Sequence, residues 1–402
     1  MAIGPTGASA DAVPGQLLVG FHGGLSSSAQ QAVIEHAGGR LMRHLSHIRG
    51  TVVRVHAKGL ALSALRKRLQ AAHEVRYAEP DYYLHRSLAP NDPDYAQQYA
   101  LAATGAGAVG APVAWNTRTG CAKVAVLDTG TQYNHPDLTG NVWHNSHETA
   151  GNNVDDDHNG YVDDYYGVNL VKGRDSGVDD EGHGTHVSGI IAGHGDNATG
   201  VSGLCWTGSI VPVKFMNSQG KGSSSAAATG LDYAIKSGAK IVNGSFGSSS
   251  KSTALEDEVD YAESKGVLLV FAAGNNSTDN DSAPEYPAAF TNGNIIAVAA
   301  VTSTGALASF SNYGAKSVDV GAPGDNILST YLNSAYKVLS GTSMASPIVA
   351  AAAAMLRSRD SSLTYSQIRS TLLSHTQPAP ALQGKVVHPG VVNIGAALSS
   401  VP

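Results

Sequence analysis

No run of about 18 consecutive apolar residues occurs in the 402-residue sequence, so no segment reads as a bilayer-crossing helix. Cysteine is nearly missing. Cys121 and Cys205 are too few for a disulfide framework; one bridge or two separate thiols both fit, which leaves the redox compartment open. Charge is sparse at 14% of residues, and 32 acidic against 26 basic side chains give a net charge of -6. That balance argues against nucleic acid as a partner. Met1-Ala2-Ile3-Gly4-Pro5 has neither the basic n-region nor the apolar h-region of a secretory signal, so either a signal has been removed or export is not involved.

What the sequence has in quantity is glycine, 46 residues, beside 42% hydrophobic residues. This describes a compact enzyme with many tight turns rather than a disordered or fibrous chain. The length suits one large catalytic domain and a small one. Residues 16–84 read as a small α+β module: Gln16–Phe21 and Thr51–Val55 have strand-like content, and Ser26–His36 and Ser63–Ala72 have helical spacing. Prolines and small polar residues at Arg86-Ser87-Leu88-Ala89-Pro90-Asn91-Asp92-Pro93 mark a boundary, giving domains 1–90 and 91–402. Beyond it, short apolar runs alternate with helical patterns, as in βαβ units around a parallel sheet. Strands are expected at Val124–Leu127, Ser209–Phe215, Lys240–Val242, Val267–Phe271 and Ile295–Val301. Helices should start near His183, Ser225 and Ser343, with another inside Ala254–Ser264. Gly244–Ser250 reads as a loop, and no fixed-period repeat is present.

Peptide hydrolysis needs a nucleophile, a base, a group that orients the base and donors for the developing oxyanion. Four segments offer these parts. Val124-Ala125-Val126-Leu127-Asp128-Thr129-Gly130 is an apolar strand ending in a carboxylate, where α/β sheets build their sites; alone it is a strand-end turn. Gly182-His183-Gly184-Thr185-His186 puts a histidine between glycines at a helix start, and its two histidines, three apart, also suit a metal. Ser340-Gly341-Thr342-Ser343-Met344-Ala345-Ser346-Pro347 places Ser343 in the first turn of an alanine-rich helix, whose N-terminal amides favour negative charge; alone it is a cap. Val270-Phe271-Ala272-Ala273-Gly274-Asn275 is a strand followed by an amide, which is also a formal glycosylation sequon with Asn276-Ser277.

Together these segments resemble the subtilisin family, whose D-T/S-G, H-G-T-H and G-T-S-M-A-S-P motifs occur here in the family's order, and the resemblance runs from Asn91 to Leu398. It implies a subtilisin-like parallel sheet flanked by helices, with a serine endopeptidase triad: Ser343 as nucleophile, His183 as base, Asp128 as its orienting partner. Asn275 would supply the oxyanion donor. The resemblance further implies substrate held as an added strand between Gly220-Lys221-Gly222 and Ser245-Phe246-Gly247. The pocket for the residue before the cut would be walled by Ala272-Ala273-Gly274 and Ser245-Phe246-Gly247 and floored near Glu285. A carboxylate there either favours Lys and Arg or is a solvated group without a role.

The densest acidic stretch places Asp155, Asp157, Asn159, Gly160 and the Tyr161 carbonyl as in the first half of an EF-hand loop. Tyr166 stands where the closing Glu belongs, so Asp164 or Asp163 must close a calcium site. A second calcium site resembling the family's is expected at Asp92, Asp137 and Asn197. Val75-Arg76-Tyr77-Ala78-Glu79-Pro80-Asp81-Tyr82 resembles subtilase propeptides, which implies a self-processing zymogen cut between Arg86 and Asp92 and inhibited by its own propeptide. The resemblance also implies a secreted monomer acting on proteins and peptides. Two rivals stand beside this reading: an inactive calcium-binding scaffold, against which the intact motifs speak, and a processing protease of narrow specificity, for which Glu285 is the hint. Ile348, where many relatives carry His, is a packing position.

Overall fold

The computed structural model describes residues 12–45, 50–54, 60–82, 88–172 and 176–401. The expectations for Met1–Pro5, Val55, Leu84 and Arg86-Ser87 therefore lie outside the described residues. The chain divides into two compact units, Met1–Arg86 and Ser87–Pro402.

In the first unit, strand β1 (Ala12–Phe21) is followed by helix α1 (Ser27–Ala37), β2 (Arg40–Leu45), β3 (Gly50–Arg54), α2 (Leu60–Ala71) and β4 (Val75–Tyr82). The strands form an antiparallel sheet in the order β2-β3-β1-β4. Alternation along β1 sends Leu17, Val19 and Phe21 to one side, where they meet Ile34 of α1 and Leu65 and Leu69 of α2. Pro80 lies in β4, at the edge of the sheet, where a missing amide hydrogen removes no bond from a further strand.

Among the described residues, the second unit holds a nine-stranded sheet made of β5 (Gly120–Asp128), β6 (Val168–Asn169), β7 (Thr207–Lys214), β8 (Ile241–Gly244), β9 (Leu268–Ala272), β10 (Ile295–Val301), β11 (Val320–Pro323), β14 (Thr376–Pro378) and β15 (Gly390–Val392). Their order is β14-β15-β11-β10-β9-β8-β5-β7-β6, and all neighbours are parallel except β14 and β15. A separate hairpin joins β12 (Ile327–Tyr331) and β13 (Ala335–Leu339). The helices are α3 (Ala111–Trp115), α4 (His183–Ala192), α5 (Ser224–Lys236), α6 (Thr253–Ser264), α7 (Thr342–Arg359), α8 (Tyr365–Ser374) and α9 (Ile394–Ser399).

Strands with apolar residues at every position bury both faces. Val124 and Val126 of β5 join one core with Val187 of α4 and the alanines of α7, while Ala125 and Leu127 join a second core with Leu231 of α5 and Val259 of α6. Ala350–Ala354 in α7 are 0% exposed: alanine combines the best helix propensity with a side chain small enough for the helix to lie close to the sheet. Ile348 is buried in the same core. Cys121 and Cys205 are bonded to each other, with Cα atoms 5.6 Å apart, so the start of β5 is tied to the turn between α4 and β7.

Candidate active site

Parallel strands bring their C-terminal ends to one edge of the sheet, and β5, β8 and β9 are neighbours there. Asp128 is the last residue of β5 and wholly buried. His183 is the first residue of α4, and its Nδ1 lies 2.7 Å from Asp128 Oδ1. Thr129 N–H donates to the same oxygen at 2.7 Å, and Asp128 Oδ2 is buried with no hydrogen-bond partner. Glycine at 184 is required by space: a Cβ there would lie 2.1 Å from the Gly130 carbonyl. Asp179 accepts the N–H groups of Glu181 and Gly182, just before α4, and of Thr185, whose amide the first turn of α4 leaves open. Glu181 accepts the His183 N–H at 2.7 Å. Burial pulls the His183 pKa down, but the Asp128 charge and hydrogen bond, with Glu181 and Asp179 behind them, outweigh it and raise it to about 9.

His186 faces the other way. Its Nε2 meets the carbonyls of Ile327 and Lys337 on the hairpin, at 3.1 and 2.9 Å. Burial takes its pKa down to about 4. The structure therefore separates the two histidines that sequence spacing left as a possible metal pair.

Ser343 is the second residue of α7. Pro347, four residues on, has no N–H to offer the Ser343 carbonyl; that carbonyl instead accepts the Ser245 hydroxyl at 3.0 Å. Ser245 follows β8 directly and also contacts the Ser346 hydroxyl (3.0 Å) and the Asn243 amide (3.0 Å). The Ser343 hydroxyl donates to the Ser245 carbonyl at 3.3 Å. The start of α7 is thus fastened to the end of β8, the strand beside β5.

Asn275 lies just beyond β9. Its Oδ1 accepts both the N–H (2.8 Å) and the hydroxyl (2.9 Å) of Thr342, which turns the amide nitrogen the other way. A methyl group added to Gly341 would sit 3.5 Å from Asn275 Nδ2 and 3.6 Å from the Ser343 nitrogen. Glycine at 341 thus leaves open the space beside the Ser343 nitrogen and the Asn275 amide, whose Oδ1 lies 3.7 Å from the same point. Asn312 holds the same loop by accepting from the N–H of Asn276 and Thr278.

Gly220, Lys221, Gly222, Phe246, Gly247 and Tyr286 line one cavity of about 370 Å³. Phe246 packs edge-on against Phe215 and Phe271. Ser248 pairs with Tyr286 in an antiparallel bridge, joining the second edge segment to the Glu285 turn. A Cβ on Gly247 would lie 2.5 Å from Glu285 Oε1 and one on Gly274 3.2 Å from Glu285 Cγ, so Glu285 sits between those two segments. Ala272 and Ala273 are buried. Burial also raises the Glu285 carboxyl pKa.

The acidic loop closes differently from an EF-hand. Asp157 and Asp164 gather with Glu148, one oxygen of each within 4.8 Å of the others, the one such carboxylate group among the described residues. Glu148 Oε2 is buried with no partner, while its Oε1 accepts the N–H of Asp156 and Asp157. Asn145 Nδ2 bonds both Asp157 and Asp164, and the Tyr233 hydroxyl donates to Asp164 at 2.6 Å. Asp155 instead accepts the N–H of Asn159 and Gly160, and Asp163 those of Gly151, Asn152 and Asn153. Asn159 reaches the group through its amide, on Asp157 and Asp164, and its Oδ1 accepts the Tyr161 N–H. Burial pushes the Glu148 pKa up, with Asp164 and Asp157 adding to it; three facing carboxylates, with Glu148 Oε2 left without a partner, fit a hard cation with oxygen ligands.

At the second expected site, Asp92 accepts the N–H of Asp196 and Asn197, and Asn197 Nδ2 donates to Asp137 Oδ1 at 2.9 Å. Asp92 and Asp137 are buried, and burial raises the Asp92 pKa, with Asp137 contributing. The three residues come together on one loop cluster.

Comparison with known proteins agrees with this geometry. Residues 121–389 match the model of the subtilase family and residues 3–81 that of the fervidolysin N-terminal prodomain. Thermitase of Thermoactinomyces vulgaris is 39% identical over 272 residues, 67% of this chain and 86% of that protein. A thermophilic serine proteinase of Bacillus sp. (strain AK1) is 39% identical over 287 residues, 71% of this chain but only 64% of its own length. Among solved structures, a protease from Pseudoalteromonas arctica PAMC 21717 superposes with a TM-score of 0.67 at 29% identity, over 78% of this chain and 99% of that one.

Proposed function

This chain belongs to the subtilase family, and from that premise we propose that it is a serine endopeptidase made as a self-processing zymogen. The observation that carries the reading is the 2.7 Å contact of His183 Nδ1 with buried Asp128, beside the neighbouring strand end that holds Ser343. Ser343 Oγ attacks the scissile carbonyl while its proton passes to His183 Nε2. Asp128 keeps the Nδ1 proton in place and stabilises the imidazolium. The carbonyl oxygen, now negative, takes hydrogen bonds from Asn275 Nδ2 and the Ser343 N–H. His183 returns the proton to the leaving amine, and the acyl-enzyme left on Ser343 is hydrolysed by water activated in the same way. Gly220–Gly222 and Ser245–Gly247 hold the substrate backbone as an added strand.

Residues 1–90 are the propeptide and inhibitor and 91–402 the catalytic domain, separated by self-cleavage between Arg86 and Asp92. The mature enzyme acts outside the cell as a monomer. Calcium is its metal: Glu148, Asp157 and Asp164, with Asn145 nearby, supply one ligand set, and Asp92, Asp137 and Asn197 the other. Bound there, calcium neutralises facing carboxylates and fastens their loops.

The test follows chain size, N-terminus and casein cleavage with and without calcium, beside Ser343→Ala. Wild type sheds its N-terminal unit and Ser343 takes a fluorophosphonate label. A Ser343→Ala chain that still matures unaided refutes the assignment, and an unlabelled wild type supports the inactive scaffold instead. Glu285 favours a second reading, preference for Lys or Arg before the cut, because its carboxyl is partly buried between Gly247 and Gly274. In a peptide library, Glu285→Ala then loses that preference; a wild type indifferent to basic residues removes it.

A further inference from the structure

Next to the Asp128–His183 contact lies a buried cation for which the reaction above has no task. Lys214 ends β7 in parallel register with Asp128 at the end of β5, and its side chain is 1% exposed. Burying an ammonium is costly unless its protons are all engaged. Here they are: Nζ donates to the Thr129 carbonyl (2.6 Å), to Asp180 Oδ1 (2.6 Å) and to the Met216 carbonyl (2.9 Å). The Asp180 side chain is 47% exposed, so water shares the counter-charge. The two carbonyls are what the buried end of this cation holds.

Thr129 is where the consequence falls, because each of its polar groups is committed. Its N–H donates to Asp128 Oδ1, the oxygen that meets His183; its hydroxyl accepts the Gly184 N–H at 2.9 Å; its carbonyl accepts Lys214. Asp128 Oδ2 has no partner, so outside the His183 contact the carboxylate is oriented through Thr129 alone. The backbone of Asp128 is held from the same side, since its carbonyl accepts the N–H of Phe215 and Met216. An apolar residue at 214 would leave the Thr129 and Met216 carbonyls unpaired and remove the one hold on the Thr129 carbonyl, leaving Thr129 fixed only through its N–H and hydroxyl.

We infer that Lys214 is a positioning residue: by holding the Thr129 carbonyl it fixes the angle at which Asp128 meets the His183 ring. The inference rests on the serine protease reading above. Its test compares Lys214→Met, Lys214→Arg and Asp180→Asn, with kcat taken per active site titrated by fluorophosphonate. The pH profile and the downfield proton resonance of His183 Nδ1 are recorded alongside. Lys214→Met should lower kcat at least tenfold with KM within twofold, move the Nδ1 proton upfield and shift the acid limb of the profile. Lys214→Arg keeps the charge but cannot seat a guanidinium where an ammonium fits, so it should fold with a similar though smaller loss; it carries the test if Lys214→Met does not fold. Asp180→Asn keeps an acceptor oxygen and should stay within twofold of wild type. A lysine variant with kcat within twofold and an unmoved resonance reduces Lys214 to a structural strut. Asp180→Asn as damaged as Lys214→Met would assign the effect to the ion pair and overturn the inference as well. A wild type that takes no label strikes the reading of the site, a distinguishable failure.

Discussion

Titrating kcat/KM for a peptide substrate from pH 6 to 10.5, in the processed wild type and in Glu181→Gln, examines the charge surrounding His183. The ring must be neutral to accept the Ser343 proton, and kcat/KM reports its pKa in the free enzyme. With that pKa at about 9, against an ordinary 6.5, roughly one ring in a hundred is neutral at pH 7. Activity should therefore climb about tenfold per pH unit from 7 and level off beyond 9. The Asp128 charge and hydrogen bond supply most of the upward pull, and Glu181 is the next contributor. A partly solvated carboxylate a few ångströms away is worth roughly 1 kcal/mol, about one step in pKa. The neutral amide of the variant would keep an acceptor oxygen for the His183 N–H, so Glu181→Gln should move the limb down by up to about one unit. The variant is then several-fold faster than wild type at pH 7 and equal to it at pH 10. A wild-type limb centred near 6.5, or one that Glu181→Gln leaves in place, refutes the reasoning.

Asn275→Ala should lower kcat about a hundred- to a thousand-fold with little change in KM, the range known for this donor in subtilisin; a loss under tenfold in steady-state kinetics counts against its role. The Cys121–Cys205 bridge spans 84 residues, for which chain entropy sets a ceiling of about 4–5 kcal/mol. Cys121→Ser with Cys205→Ser should therefore unfold at clearly lower denaturant, and an unchanged midpoint would show the bridge to be passive. His186 has its folded pKa pushed down to about 4. Above pH 6.5 neither state binds the proton; as pH falls from 6.5 to 4 only the unfolded chain does, so stability is lost over that window, by about 3 kcal/mol in all. Guanidinium unfolding of the Ser343→Ala chain should show this slope and His186→Gln should flatten it; parallel curves would contradict it. Glu148→Gln removes one of three facing carboxylates, so calorimetric calcium affinity should fall at least tenfold, and equal affinity would move the ion elsewhere.

The fold is legible where burial on both faces writes itself as unbroken apolar runs. All five expected strands are present, and Ile295–Val301 has the same limits as β10. The strands without a sequence signal of their own lack it for identifiable reasons. Val320–Pro323 contains glycine and proline and Gly390–Val392 is three residues long, so neither shows a period. Arg40–Leu45 is mostly exposed and owes its state to pairing with β3 rather than to its own composition. Val75–Tyr82 is tolerated as a strand despite Pro80 because it closes the sheet, a fact about strand order that no local window contains.

At the site, the difference lies between residues whose neighbours in sequence announce them and residues whose neighbours are made by folding. Asp128, His183, Ser343 and Asn275 sit in motifs because glycine, threonine and proline beside them have their own tasks: Gly184 clears Gly130, Thr342 turns the Asn275 amide, and Pro347 frees the Ser343 carbonyl for Ser245. Glu148 has no such surroundings. It precedes the acidic run and reaches Asp157 and Asp164 only because the chain folds back, while Asp155, which accepts the amides of Asn159 and Gly160, lies outside that trio. Lys214 reads in sequence only as part of a strand, since nothing around it marks a cation that will be 1% exposed. Its three acceptors come from three other stretches of chain, Thr129, Asp180 and Met216, and only the last lies near it in sequence. A carboxylate loop can thus be located from composition, but which carboxylates are brought to face one another depends on how the turns fold the chain back, as with Glu148 against Asp157 and Asp164.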